Sequence, residues 1–307
     1  MASSADVFGM ACLAILIILT LFGNTLICTI ILRNRRLRIS SNIFVFNIAL
    51  GDILCSVSTL PLSILFLMSQ EKWPLGSAGY IFFDAAWLFF LILSFLNIEI
   101  ITLDRFFAIT KPYMYESIAT NKRSVTLCVC IWTYVVVLVC GLIPTFRLAD
   151  KRIYEFHIPG NVYYSVLIIH AGLTCISVPI LYAILLHLAK KQKKKIIEQT
   201  NNRTSRHFFR ELRATWTIGF VISLFMLVWL PFLINQFVDF DDINDGRWDY
   251  KNRIMAYITY CNGPVNIFLY SLWNREMRGM ILKFFSFKNA QEATRRPNDR
   301  NQRITLV

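Results

Sequence analysis

Charge is scarce in this chain. Acidic and basic residues fill 17% of its 307 positions and apolar residues fill 56%, and the mean hydropathy is +0.51. A soluble domain carries about 25% charged residues, so this balance excludes a water-soluble enzyme or binding domain and points to a membrane. Cysteine is missing from every hydrophilic stretch: Cys12, Cys28, Cys55, Cys128, Cys130, Cys140, Cys175 and Cys261 all lie in apolar runs. None is left for a disulfide between outer loops or for acylation of the tail. The histidines, at 157, 170, 187 and 207, have no cysteine or acid at ligand spacing, so they predict no metal site. No basic stretch precedes the first apolar run, and no signal peptide is expected.

What the chain does have is long apolar runs. They cover Val7 to Leu32, Ile39 to Gln70, Trp73 to Leu103, Ser124 to Phe146, Phe156 to Ala189, Ala214 to Val238 and Ile254 to Asn274. Each reaches the ~20 residues a helix needs to cross ~30 Å of hydrocarbon. The expected fold is therefore an all-α membrane protein, a bundle of seven transmembrane helices. An odd number of spans puts the termini on opposite sides. Twenty-four Lys and Arg fall in the odd-numbered connections and the tail, against seven in the even connections. By the positive-inside bias the N-terminus is outside and the tail cytoplasmic. The net charge of +13 is then mostly topological, and no nucleic-acid partner is expected. The lone N-x-S/T triplet, Asn202 to Thr204, lies on the cytoplasmic side and should stay unglycosylated.

Residues 1–287 read as one membrane unit and 288–307 as a short polar tail. Within the first, 275–287 sets Met277, Met280, Ile281, Phe284 and Phe285 on one face with basic residues opposite. That pattern predicts a short amphipathic eighth helix on the inner leaflet. The chain ends Thr305-Leu306-Val307, a form that suits PDZ capture of a terminal carboxylate but that also recurs by chance.

Polar residues inside the runs carry the functional signal. Asp104 and Arg105 follow the third run directly in NIEIITLDRFFAITKPYMY, Asn97 to Tyr115, where each charge costs roughly 2.5–3.5 kcal/mol at mid-bilayer and less near the edge. The first run holds Gly23-Asn24, and the second holds NIALGD with Asn47 and Asp52. An isolated membrane Asn often just bonds to a neighbouring backbone, but Asp52 needs protonation, a cation or donors. Glu99 on the third run lies well off the Arg105 face and reads as a protonated or locally paired acid.

Taken together these residues resemble the motifs of rhodopsin-like (class A) G-protein-coupled receptors. The string Asp104-Arg105-Phe106 with Pro112 and Tyr115 is similar to that family's D-R-[YF]…P-x-x-Y. Gly23-Asn24, N-x-A-x-x-D at Asn47 to Asp52, Trp132, Pro179, Phe225, Val228-Trp229-Leu230-Pro231 and Asn266 to Tyr270 fall at the other motif positions. The resemblance implies a structural role for Asn24, Asn47, Asn97, Trp132, Pro179 and Pro231. It implies a switch of Asp104, Arg105, Phe106, Glu211 and Tyr270, in which an Arg105–Glu211 ion pair clamps the cytoplasmic ends until the sixth helix moves outward. It also implies a Na⁺ pocket of Asp52, Ser94, Asn262 and Asn266. A ligand pocket of Asp84, Trp87, Trp229, Phe232, Gln236 and Tyr260 is expected above it.

Four departures accompany the likeness. Tyr80 stands where the family usually has the outer-loop cysteine, and Ala149 to Tyr164 lacks its partner. His187 replaces a Tyr of the fifth helix. Ile267 replaces the usual Pro of the last helix, with Pro264 nearby, so the kink is expected to shift. Trp87 replaces the Asp of amine receptors, and Asp84, three residues earlier, either meets a cationic ligand from a shallower position or is an ordinary acid at the membrane edge. Tyr260 fills the retinal-lysine position of opsins, so no covalent retinal is expected.

The function implied is a non-enzymatic plasma-membrane receptor that turns binding of an extracellular ligand into activation of a heterotrimeric G protein. The alternatives are a receptor-like protein that is silent or constitutively active and, on weaker grounds, a seven-helix transporter or light-driven pump; such a pump would need a lysine in the last run and a chain of buried carboxylates, and Ile254 to Asn274 has no lysine.

Overall fold

The computed structural model describes residues 4–69, 73–143, 147–150, 153–157, 160–198, 219–220, 223–236, 250–265 and 278–282. Helices α1 (Ser4–Arg33), α2 (Ser40–Met68) and α3 (Gly76–Thr110) correspond to the first three runs. A short helix α4 (Pro112–Ile118) follows, then α5 (Asn121–Leu142) and α6 (Gly160–Glu198) for the fourth and fifth. The sixth run contributes α7 (Ser223–Gln236) and the seventh begins with α8 (Tyr250–Thr259). Five of these helices, α1, α2, α3, α5 and the 165–188 part of α6, are long and apolar enough to cross a membrane among the described residues. Between α5 and α6 lies an antiparallel hairpin of β1 (Arg147–Asp150) and β2 (Ile153–His157), which the run pattern did not indicate.

Among the described residues the architecture is helical apart from that hairpin. Helix α3 is its axis, packing against α2, α5 and α6 while α1 packs along α2. Phe95, Ile92, Leu91 and Leu88 of α3 sit in one core cluster with Val135 and Val139 of α5, Val178 of α6 and Phe225, Trp229 and Phe232 of α7. The outer surface is apolar, with Ile18, Phe22, Val57, Val137, Ile169, Ile176 and Leu227 exposed. Such a surface suits lipid and would be a liability in water.

Local chemistry sets the element ends. Gly76 has φ +65°, a left-handed conformation that glycine adopts without a Cβ clash, and it lets the chain turn from Trp73-Pro74 into α3. Pro112 occupies the first turn of α4, where its missing N–H costs nothing. The Thr120 hydroxyl accepts from Arg123 N–H at 3.4 Å and caps α5.

The last helix is interrupted at Tyr260–Cys261. There the backbone changes to tighter i→i−3 bonds, from Tyr260 N to Tyr257 O (3.2 Å) and from Cys261 N to Ile258 O (3.0 Å). Pro264 accounts for the position, since it has no N–H for the Tyr260 carbonyl four residues back and its ring crowds that carbonyl. Helix resumes over 262–265. Residues 278–282 are also helical, and Met280 and Ile281 there pack against the α1–α2 cluster of Leu26, Ile27, Ile30 and Ile31. The rest of the expected eighth helix, 275–277 and 283–287, lies outside the described residues.

Candidate functional site

The inner end of α3 forms a compact polar knot. Arg105 donates through Nε to Asp104 Oδ2 at 2.9 Å and through Nη2 to the same oxygen, making an ion pair. Its Nη2 also donates to the Tyr115 hydroxyl at 3.1 Å, and that hydroxyl donates to Asp104 Oδ1 at 2.8 Å. The guanidinium carbon lies 5.9 Å from the Tyr115 ring centroid. Both charged side chains are only 7% exposed, so each is held by several bonds, as buried charge requires. The motif resemblance assigns Tyr115 no role; in the structure α4 carries it into the knot. Phe106 faces the other way, packing with Ile109, Tyr182 and Leu185. Glu211 and Tyr270 lie outside the described residues.

Helix six comes close to α6 just above this level. A Cβ built on Gly219 would run into the Tyr182 hydroxyl, so a larger residue there must displace that ring or the helix that carries it. His187, in the place of a family Tyr, is exposed on α6.

In mid-membrane one cavity is lined by Asp52, Ser94 and Asn262 and also by Trp87, Trp229 and Tyr260. The expected cation site and the floor of the expected ligand pocket are therefore one continuous space, with room for a few water molecules. Thr20 also lines it. Thr20 Oγ1 and the nearby Asn24 Oδ1 are buried oxygens without a protein partner. Asn24 Nδ2 donates to Gly263 O at 3.2 Å, tying α1 to the interrupted helix. A Cβ on Gly263 would meet Thr20 Cγ2 at 2.7 Å. Ser94 Oγ spends its proton on Phe90 O at 2.8 Å, leaving its lone pairs to the cavity. Asn266 lies outside the described residues.

Above the cavity the rings interlock. Trp229 stands 5.0 Å from Phe95, 5.8 Å from Phe225 and 6.1 Å from Phe232, and Phe232 stands 5.5 Å from Trp87. Asp84 and Gln236 are not in the cavity lining; they lie one turn farther out on α3 and α7. Tyr260 hydroxyl is 3.3 Å from Ser63 Oγ. Pro231 lies on the exposed side of α7, and Pro179 on that of α6.

Two polar joints hold the helices in register. Asn47 Nδ2 donates to Asn97 Oδ1 at 2.6 Å, and Trp132 Nε1 donates to Asn47 Oδ1 at 2.7 Å, linking α2, α3 and α5. Glu99 is the other: its Oε1 accepts from Thr174 Oγ1 at 3.1 Å and Ser177 Oγ at 3.2 Å, binding α3 to α6. Neither hydroxyl carries a signal of its own in the sequence pattern. At the outer end, Tyr80 meets Trp73 edge-on at 5.6 Å, while Phe83 and Phe66 lie 5.3 and 6.1 Å from the same indole. This aromatic clasp occupies the place of the usual disulfide, and all eight cysteines are free thiols.

A multi-pass bundle organised on α3, with a buried Asp-Arg pair at one end and an aromatic-floored cavity beneath the other, has the form of a seven-helix receptor. The chain belongs to the 7 transmembrane receptor (rhodopsin family), which it matches over residues 23–270. It is 26% identical to the Histamine H2 receptor of Canis lupus familiaris over 306 residues, covering 93% of this chain and 82% of that receptor. It is 24% identical to the Octopamine receptor beta-2R of Chilo suppressalis over 319 residues (90% and 78%). With the 5-hydroxytryptamine receptor 1B of Equus caballus it shares 22% identity over 344 residues (91% and 86%). The chain is thus a rhodopsin-family receptor of the G-protein-coupled class.

Proposed function

We propose that the protein sits in the plasma membrane with its N-terminus outside and its tail inside, and that an extracellular ligand shifts it between two helix arrangements. The observation that carries this reading is the Asp104–Arg105–Tyr115 knot, a buried cation held at the face where a G protein would dock. In the resting arrangement Arg105 is turned onto Asp104 and Tyr115, and Glu211 adds the clamp to helix six. Ligand in the outer pocket, pressing on Trp87, Phe232 and Trp229, favours the arrangement with helix six outward. Arg105 is then released toward the G protein. No bond in a substrate is made or broken; the work is a population shift.

The oxygen-rich set of Asp52, Ser94 and Asn262, with the unpartnered Thr20 Oγ1 beside it, fits a hard cation, and Asn266 would complete it. Na⁺ held there would neutralise the Asp52 carboxylate in mid-membrane and favour the resting arrangement. Thr305, Leu306 and Val307 supply a PDZ ligand, a second and separate contact.

The test is G-protein activation in cells expressing the full chain, scanned with amines, peptides and lipids. Arg105→Ala should abolish the response with surface expression kept, and Glu211→Ala should raise signalling without ligand. A full response from Arg105→Ala at equal surface level would sink the assignment.

A further inference from the structure

The corner between the first loop and the start of α5 concentrates charge of one sign on a rigid frame. One tight helical turn, Arg35–Leu37, joins α1 to α2. It is closed by Leu37 N–H donating to Asn34 O at 2.9 Å and Arg38 N–H to Arg35 O at 3.2 Å. Leu37, 1% exposed, anchors it in the core, and its carbonyl accepts from Asn42 Nδ2 at 2.8 Å. The turn is fastened to α5 as well: Asn121 Nδ2 donates to Arg38 O at 2.7 Å, and the Ser40 and Ser124 hydroxyls meet at 2.5 Å. Arg35, Arg36 and Arg38 on the turn, and Lys122 and Arg123 on α5, are all exposed. Such a turn completes itself in three residues, which brings Arg38 round to the side of Arg35. No acid answers this charge. The chain has no Asp or Glu between Asp6 and Asp52, nor between Glu116 and Asp150, and among the described residues the ion pair is Arg105–Asp104 alone. Arg35, Arg36 and Lys122 make no side-chain bond to any described residue. Arg38 gives one N–H to Leu32 O, and Arg123 Nη1 reaches the Ser117 and Ile118 carbonyls at 3.3 and 3.4 Å, so both forks keep donors to spare. A positive-inside bias accounts for cations in these loops; it does not require them to converge on one pinned corner.

The surface beside the corner is apolar. Leu32, Ile39, Val125 and Val129 are 54%, 50%, 50% and 56% exposed. Leu32 carries the carbonyl that Arg38 holds, Ile39 follows Arg38, and Val125 and Val129 stand one and two turns along α5 from Asn121. A ligand that meets both surfaces has a polyanionic head and an apolar tail. Phosphate monoesters suit the head, because each carries about −1.5 to −2 charges near neutrality and guanidinium groups hold them through paired bonds. Basic clusters at the cytoplasmic end of a membrane helix attract the anionic lipids of the inner leaflet. We propose that the Arg35–Leu37 turn and the start of α5 bind the head of a polyphosphorylated inositol lipid. Arg35, Arg36 and Arg38 hold its ring phosphates, Lys122 closes the other side, and an acyl chain lies along Val125 and Val129. The site goes beyond the proposed function: it needs the cytoplasmic placement of this loop but no G-protein step.

The experiment titrates the full chain in detergent micelles with lipid and reads thermal stabilisation together with native mass spectrometry of the bound lipid. The probes are phosphatidylinositol bisphosphate, phosphatidylserine at equal total charge, phosphatidylcholine and free inositol trisphosphate. The bisphosphate lipid should bind about tenfold or more tighter than phosphatidylserine, and free inositol trisphosphate, which has no acyl chain, about tenfold or more weaker than the lipid. Arg35→Gln with Lys122→Gln should weaken bisphosphate binding about tenfold and leave the lipid-free melting temperature unchanged, because neither side chain is bonded within the protein. Arg35→Lys with Arg36→Lys keeps the charge and should still cost severalfold, since an ammonium cannot make the paired bonds. Lys190→Gln with Lys191→Gln removes equal charge from the inner end of α6 and should change little. Equal binding of the two anionic lipids at matched charge, bisphosphate binding that survives Arg35→Gln with Lys122→Gln, or an equal loss from the α6 pair would reduce the corner to a diffuse field and overturn the site. Free inositol trisphosphate binding as tightly as the lipid would overturn the membrane source. A tail epitope reached by antibody on intact cells would overturn both the site and the orientation on which it rests. Selective lipid binding by a chain that activates no G protein would support the site and remove only the receptor mechanism.

Discussion

The outer and inner ends of this bundle are held by different physics. Outside, rings pack on rings: Trp73 with Phe66, Tyr80 and Phe83, then Trp87 with Phe232 and Trp229. Inside, charge and hydrogen bonds do the holding, in the Arg105–Asp104–Tyr115 knot. Ring contacts are numerous, individually weak and tolerant of small shifts. An ion pair in which two guanidinium N–H groups share one carboxylate oxygen is directional and either made or broken. The outer end can therefore repack in small steps, whereas the inner knot is held or lost as a unit; on the proposed function, the first would register a ligand and the second would answer it. Helix α3 joins them, with Phe95 against Trp229 and Phe225 about midway.

The contrast can be broken at three places. Gly219→Ala should have the largest effect, because its Cβ would run into the Tyr182 hydroxyl and relieving that clash by moving helix six away from α6 would loosen the inner end. Basal G-protein signalling should rise about tenfold or more, an equilibrium shift of about 1.4 kcal/mol. The added change Tyr182→Ala should bring it back, and a basal level unchanged by Gly219→Ala would show that this contact does not restrain helix six. Tyr115→Phe comes next. It deletes the hydroxyl shared by Arg105 and Asp104, a loss of about 1 kcal/mol or a little more, and should raise basal signalling several-fold with ligand affinity little altered. The smallest effect belongs to the outer clasp: Trp73→Ala should lower the melting temperature by about 2–4 °C and leave basal signalling as it was. Dithiothreitol should change neither quantity, since no disulfide is there to reduce.

Much of this was legible in the chain. The runs located the first five long helices, although α3 continues to Thr110 and α6 to Glu198, past the ends of their runs, and the motif spacing brought Asn47, Asn97 and Trp132 together as the structure has them. Pro264 indicated where the last helix would break. What could not be read depends on how one helix turns against another. Sequence periodicity tells which face of α3 carries Glu99, but not that Thr174 and Ser177 of α6 arrive at its height. The missing cysteine at position 80 was visible; its replacement by a ring against Trp73 needed the loop geometry set by Gly76. Two expected sites proved continuous because Trp87 and Tyr260 reach into the space beside Asp52, a consequence of side-chain length and helix tilt.

The most direct test is nucleotide exchange on a purified heterotrimeric G protein by the full chain in lipid, with the activating ligand that the cell scan identifies, comparing wild type with Arg105→Ala. The account predicts accelerated exchange by wild type and none above background by Arg105→Ala, with ligand binding intact. Equal acceleration by both would contradict it.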